Sequence, residues 1–118
     1  MIKATIKKYT IALWQDDPWI KDNRSLVYNN RGYSYYNLKK YAEAIKDYTE
    51  ALNQNDQWIK DNRSLVYDNR GDSYYKLGNY AEAIKDYTEA LNQNDEWIKD
   101  KRGYVNSNLN EAKRKIEL

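Results

Sequence analysis

The chain reads DNRSLVYNNRGYSYYNLKKYAEAIKDYTEALNQNDQWIK from residue 22 to residue 60, and residues 61–99 follow without a gap as DNRSLVYDNRGDSYYKLGNYAEAIKDYTEALNQNDEWIK. Only six positions differ between these two stretches of 39 residues. Self-similarity at one fixed period is typical of repeat architectures, in which each unit buries its apolar face against the next copy. The repeat is therefore the strongest predictor of the fold.

The same period extends to both sides of this pair. Residues 6–13 match residues 45–52 at most positions, and Trp-Ile-Lys-Asp occurs three times at the same spacing. We predict a single domain over residues 1–118, made of three units at 2–40, 41–79 and 80–118. Identity this close is expected of a recent duplication or of an engineered repeat.

Each unit contains two helical patterns. In residues 41–52 the apolar and small side chains recur at spacings of three and four, which predicts a helix with one buried face. The longer helix is predicted to begin at Asp17-Pro18 and its equivalents, because Asp is a favourable N-cap and Pro fits the first helical position. It ends near Gly78-Asn79, where Gly favours a left-handed residue. The prediction is an all-α fold of about six helices.

The longer helix is predicted to be continuous over about 21 residues. Its buried face then holds Ile59, Val66, Arg70, Ser73 and Leu77. The alternative is a break near residues 61–64, with Ser64 capping a shorter helix. At about residues 96–117 we predict a solvating end helix, as repeat arrays require. Its buried stripe is Ile98, Val105, Leu109, Ala112 and Ile116.

Composition excludes several classes of function. The chain has no Cys and no His, so we expect no disulfide, no metal and no cofactor. The net charge is +2 with both signs interspersed, which offers little electrostatic drive toward nucleic acid. The N-terminal residues contain no long apolar run, so neither a signal peptide nor a membrane span is predicted. We therefore expect a cytoplasmic protein with no membrane partner.

No constellation typical of catalysis is present. The sequence has no Gly-rich phosphate loop and no nucleophile motif. The acidic residues Glu43, Asp47 and Glu50 are interpreted as a solvated helix face. We predict that the chain is not an enzyme.

Several residues at fixed spacing resemble the tetratricopeptide repeat. The motif YxxRGxxY at residues 67–74 is followed by Ala83, Tyr87 and Ala90 in the pattern of that family, and the preceding unit repeats it. The resemblance implies an α-solenoid of stacked antiparallel helical hairpins. It also implies a protein-interaction scaffold that holds an extended peptide in the concave groove lined by the first helix of each pair.

Three features depart from the family pattern. Arg31 and Arg70 stand where the family usually has Leu. Lys39 replaces the turn glycine that Gly78 retains, at a cost of about 1 kcal/mol if that residue is left-handed. The period of 39 residues exceeds the family period of roughly 34, which predicts a longer first helix.

The differences between the two closest repeats mark a candidate binding surface. Within the long helix they recur every four residues, so they share one helix face. By the resemblance this stripe lines the groove, beside an asparagine ladder that suits a peptide backbone and tyrosines that add contact area. The alternative is that these are ordinary solvated residues. The predicted peptide-binding residues are Asn29, Asn30, Tyr33, Tyr36, Asn37, Asp68, Asn69, Asp72, Tyr75, Lys76 and Asn108.

A second candidate surface lies on the N-terminal helix. Ile11 and Trp14 stand where the next unit has Glu50 and Asn53. An exposed apolar pair is typical of a contact between protomers, so we predict self-association and a homo-oligomer through it. The alternative is that the pair packs locally onto Met1, Ile2 or the neighbouring helix.

Two other functions compete with peptide binding. Stacked tyrosines beside asparagines could contact RNA bases, although the low net charge opposes this. A repeat scaffold without any ligand is the other alternative. Nothing in the sequence identifies the partner polypeptide.

Overall fold

The computed structural model describes residues 1–117, and within them the chain is entirely helical between its turns. The predicted all-α repeat fold is confirmed. The helices are α1 (Ile2–Trp14), α2 (Pro18–Asn37), α3 (Tyr41–Leu52), α4 (Gln57–Lys76), α5 (Tyr80–Leu91) and α6 (Glu96–Ile116).

The chain divides into two compact units. Unit 1 runs from Met1 to Lys60, and in it α1 packs against α2 and α2 against α3. Unit 2 begins at Asp61, and in it α5 packs against α6. We call α2, α4 and α6 the first helices and α1, α3 and α5 the second helices.

The second helices bury a narrow seam of small residues and one tyrosine. In α3, Ala44, Tyr48 and Ala51 are 0%, 1% and 0% exposed, and α5 repeats the arrangement. A Cβ atom placed on Gly32 would lie 2.8 Å from Cε1 of Tyr48. Glycine is therefore needed there for the first helix to reach the tyrosine ring.

Aspartates begin the long helices, as predicted. The side chain of Asp17 accepts a hydrogen bond from the backbone N–H of Ile20 at 2.9 Å, and Pro18 occupies the first helical turn. Asp95 accepts from Ile98 in the same way at 3.2 Å. Each carboxylate satisfies a backbone donor that has no partner inside the helix.

The prediction of a continuous long helix is wrong in α2 and α4. Asn23 has φ −129° and ψ 20°, and Asn62 has φ −134° and ψ 19°, so each helix is kinked there. The extra residues of the 39-residue period are still helical, but they form a short segment before the kink.

A single aspartate stabilises two helix starts in each unit. In unit 1 the carboxylate of Asp56 accepts from the N–H of Ile59 at 3.1 Å and from the N–H of Ser25 at 2.9 Å. The hydroxyl of Ser25 also donates to Asp56. In unit 2 the break that the alternative prediction placed near residues 61–64 is present at Asn62, and Ser64 there donates to Asp95 through its backbone N–H and its hydroxyl. After each kink, the backbone N–H of Ser25 or Ser64 thus donates to an aspartate that lies 31 residues further along the chain.

The turns after α2 and α4 are left-handed, as predicted. Lys39 has φ 62° and Gly78 has φ 80°. The N–H of Lys40 reaches the carbonyl of Tyr35 and the N–H of Lys39 that of Tyr36, both at 2.9 Å, which is the hydrogen-bond pattern of a Schellman C-cap. Lys39 therefore adopts a left-handed backbone conformation, which destabilises the fold by roughly 1 kcal/mol when the residue is not glycine.

Two positions of the predicted buried faces are exposed. Leu77, in the turn directly after α4, is 46% exposed, and Ile116, the last residue of α6, is 49% exposed. The remaining members of the α6 stripe are buried as predicted, at Ile98, Val105, Leu109 and Ala112.

Candidate peptide-binding surfaces

An arginine–aspartate pair holds each first helix to its second helix. Arg31 donates to Asp47 through Nε at 2.8 Å and through Nη2 at 2.7 Å. Arg70 and Asp86 form the same two-bond pair at 2.8 Å for both bonds. The interpretation of Asp47 as a solvated residue is therefore wrong, because its side chain is only 4% exposed.

The pair also explains the departure from the family leucine. The guanidinium of Arg31 lies 5.8 Å from the ring centre of Tyr28 and 5.9 Å from that of Tyr35, so two tyrosines cover it. The hydrogen bonds that Arg31 donates to Asp47, together with the negative charge of that carboxylate, raise the pKa of Arg31 above its ordinary value. A buried two-bond pair of this kind is costly to break, because the remaining partner is left charged and buried.

In unit 1 the candidate surface on α2 is neutral and aromatic. The ring of Tyr33 stacks on that of Tyr36 with centroids 6.4 Å apart and planes 8° apart, and Tyr33 is 54% exposed. Tyr36 in turn meets Tyr41 edge to face at 5.4 Å. Asn30 is half-buried and Asn37 is exposed on the same helix. Helix α3 thus contacts Tyr36 through Tyr41, and Tyr33 stacks on Tyr36.

In unit 2 the corresponding positions carry acidic side chains. Asp72 stands in the place of Tyr33 and accepts a hydrogen bond from the Tyr87 hydroxyl at 2.6 Å. Asp68, one turn earlier, accepts from the side-chain amide of Asn108 at 3.1 Å. Tyr75 repeats the edge-to-face contact of Tyr36, with Tyr80 at 5.3 Å. The two units therefore present different chemistry at equivalent positions.

Burial changes the protonation of the two carboxyl groups in unit 2. Burial, together with the negative charge of Asp72, raises the pKa of Asp68 to about 7, against the opposing hydrogen bond from Asn108. Burial likewise raises the pKa of Asp72 to about 6, against the hydrogen bond from Tyr87 and the charge of Lys76. Ionising both groups above neutral pH costs free energy in the folded state.

The predicted stripe is only partly a surface. Asn29 and Asp68 are 6% and 2% exposed, so we correct the expectation that they face solvent. Asp68 faces α6, where it accepts a hydrogen bond from the side-chain amide of Asn108. The predicted positions that are at least partly exposed are Asn30, Tyr33, Tyr36, Asn37, Asn69, Asp72, Tyr75, Lys76 and Asn108.

The apolar pair on α1 is exposed. Ile11 is 45% exposed and Trp14 is 81% exposed, and α1 contains no buried residue. Met1 is fully exposed, so it does not cover them. Local packing, the alternative interpretation of this pair, is not what the structure shows.

The described part of the chain offers no site for a metal. Within residues 1–117 no three side chains of the types that bind metal ions form a group. In the same residues no helix has the length and apolar character needed to cross a membrane.

These features define a class: a repeat protein built from helical hairpins, with polar and aromatic side chains displayed on its first helices. The family model described as tetratricopeptide repeat matches residues 23–103, which is more than half of the chain. The chain belongs to the tetratricopeptide repeat family. A comparison with curated proteins gave no match.

Sequence reasoning missed the two polar pairings that hold the hairpins together. Arg31 and Asp47 are 16 residues apart, as are Arg70 and Asp86 in the next repeat, and each arginine replaces a family leucine. A new charge at a normally apolar position, with an opposite charge on the facing helix, was the available signal. The bond from Ser25 to Asp56 spans 31 residues and has no such local signal.

Proposed function

We propose that the chain is a peptide-binding scaffold, in which exposed residues of the first helices contact an extended segment of a partner protein. The main observation behind the proposal is Tyr33, a large side chain that is 54% exposed and stacked on Tyr36. Tyrosines supported in this way offer flat contact area and lose little entropy on binding. The family is one of protein-interaction modules, which supports the same class of function.

The two units offer different chemistry to a partner. Unit 1 presents neutral side chains, Tyr33 and Asn37, where unit 2 presents Asp72 and Lys76. We expect the positions on unit 1 to favour an aromatic or apolar residue and those on unit 2 to favour a charged residue. The amides of Asn30 and Asn69 can bond to the backbone of the segment, whatever its sequence.

A selection from a peptide library tests the proposal, and the repeat itself supplies the matched variant. Tyr33→Asp installs the residue that unit 2 already carries at this position, so the fold tolerates it. We expect selected peptides to bind this variant at least about tenfold more weakly. Tyr36→Ala/Tyr75→Ala should weaken binding further, whereas Lys46→Gln, an exposed change on α3, should leave it unchanged.

Two outcomes would oppose this function. If no peptide is enriched over a blank selection, the chain is a scaffold without a ligand. If a random oligonucleotide binds with a steep salt dependence while peptides do not, the RNA alternative gains support. We expect no catalysis and a cytoplasmic location.

A second surface is supported by the exposed pair on α1. We propose that Ile11 and Trp14 join two copies of the chain, since an apolar pair at 45% and 81% exposure gains free energy when covered. Sedimentation of the wild type and of Ile11→Glu/Trp14→Asn tests this. Identical monomer masses at high concentration would contradict it.

A further inference from the structure

One face of α1 is uncovered, although its equivalents elsewhere are buried. Ala44, Tyr48 and Ala51 of α3 are at most 1% exposed, and they lie against α2. The same positions in α1 are Thr5, Tyr9 and Ala12, one period earlier. All three are partly exposed, because no first helix lies on that side of α1 within the described residues.

This face forms a groove with α2. Its volume is about 270 Å³, and its walls include Tyr9 and Ala12 from α1 and Leu26 and Val27 from α2. Trp19 also lines it and is 57% exposed. The groove is therefore apolar and open to a partner.

Unit 2 shows what fills the equivalent groove in a complete hairpin. There Tyr67 and Tyr74 of α4 pack against the core cluster of α5 and α6, which includes Tyr87 and Val105. Gly71 lies between the two tyrosines in sequence and lets the helix approach the Tyr87 ring. The natural occupant is thus an amphipathic helix with aromatic residues seven positions apart and a small residue between them.

Charge separates the α1 groove from its equivalents. Asp86 of α5 pairs with Arg70 of the covering helix, but the matching position in α1 is Lys8, which also lines the groove. Helix α1 contains Lys3, Lys7 and Lys8 and no acidic residue. A covering helix must therefore bring a carboxylate where α4 brings Arg70.

The end helix of a second copy does not meet these requirements. The last turn of α6 is basic, with Lys113, Arg114 and Lys115, and Asn110 stands where α4 has Gly71. Like charges and a side chain at the point of closest approach both oppose docking of α6 onto α1.

We propose that the groove between α1 and α2 docks an amphipathic helix of a partner protein. That helix carries Asp or Glu facing Lys8, and the residue directly after this acidic residue is Gly or another small residue. Aromatic residues stand three positions before and four positions after the acidic residue. The groove shares Asn30 with the first-helix residues of the proposed function, but Tyr33 and Tyr36 do not line it and Lys8 belongs to the groove alone. Variants of Tyr33 and of Lys8 therefore distinguish failure of one proposal from failure of the other.

Two synthetic peptides test the docking. Both have the sequence of residues 57–76; one keeps Arg70 and the other carries Arg70→Glu. Fluorescence anisotropy of labelled peptide with the full chain should show the acidic peptide binding about tenfold more tightly. In Lys8→Asp, which recreates the Asp86 environment, the preference should invert. Lys7→Asp makes the same change of net charge on the outer face of α1 and should keep the wild-type preference.

Several results would overturn the proposal. The proposal is wrong if both peptides bind the wild type with equal affinity, or if Lys7→Asp also inverts the preference between the peptides. It is also wrong if Tyr33→Asp abolishes binding, because the peptide would then lie on the first-helix surface. A chain dimer that the acidic peptide dissociates would identify a second copy as the occupant and overturn it too. If Lys8→Asp does not fold by circular dichroism, Lys8→Gln serves instead and should abolish the preference. Tyr67→Ala/Tyr74→Ala in the peptide should prevent binding.

Discussion

Replacing Gly71 by alanine should destabilise the protein, although alanine is the better helix former. A Cβ atom at Gly71 would lie 2.8 Å from Cε1 and 2.9 Å from Cδ1 of Tyr87. That ring is 2% exposed, and its hydroxyl is bonded to Asp72 at 2.6 Å. The ring therefore cannot move away without disturbing a buried hydrogen bond.

The magnitude follows from two opposing contributions. Alanine in place of glycine stabilises a helix interior by about 1 kcal/mol. Overpacking costs about 1–3 kcal/mol, and weakening a hydrogen bond to a carboxylate adds about 1 kcal/mol or more. We expect Gly71→Ala to lower the free energy of unfolding by about 1–3 kcal/mol.

Gly103 provides the matched control within the same unit. It lies inside α6, and a Cβ atom there would meet nothing within 4 Å. Gly103→Ala should therefore raise the free energy of unfolding by about 0.5–1 kcal/mol. Urea unfolding followed by circular dichroism measures both variants. If Gly71→Ala were stabilised as much as Gly103→Ala, the close packing of α4 on Tyr87 would be refuted.

Three further changes are predicted from the structure. Lys39→Gly should stabilise the fold by about 1 kcal/mol in urea unfolding, because φ at this residue is 62°; no gain would contradict the strain. Because the folded state holds the proton of Asp68 up to about pH 7 and the unfolded state releases it near pH 4, wild-type stability should fall as pH rises through that window. Asp68→Asn, the residue of the preceding repeat, should reduce this slope and leave the smaller part that comes from Asp72, and an unchanged slope would disprove the cause. Asp56→Ala removes bonds at two helix starts and should cost about 2–3 kcal/mol, against about 1 kcal/mol for Asp17→Ala; equal costs would disprove the double cap.

Local sequence patterns predicted the parts of the fold that depend on near neighbours. The Asp17-Pro18 start and the left-handed turn at Gly78 follow from the conformational preferences of single residues. The buried seam of α3 follows from the spacing of its small residues on one helix face.

Apart from the exposed Leu77 and Ile116, the wrong predictions concern polar groups that meet across the hairpins. A helical pattern continues through Asn62, yet the chain is kinked there because Asp95 and Ser64 form bonds that no local pattern encodes. α6 has Lys101 and Gly103 at the matching places, and no non-helical residue interrupts it between Glu96 and Ile116. The four-residue spacing predicted that the positions that differ between the two repeats share one helix face. Which of these side chains reach solvent depends on the helix that packs against that face.

The most direct test of the central claim is nuclear magnetic resonance mapping of a selected peptide on the full chain. Binding through the first helices predicts chemical-shift changes in the side-chain amide of Asn37 and in the backbone around Tyr33, with the amides of α3 and α5 unaffected. Changes confined to the second helices, or to the groove of α1, would contradict the account of how this repeat holds its partner.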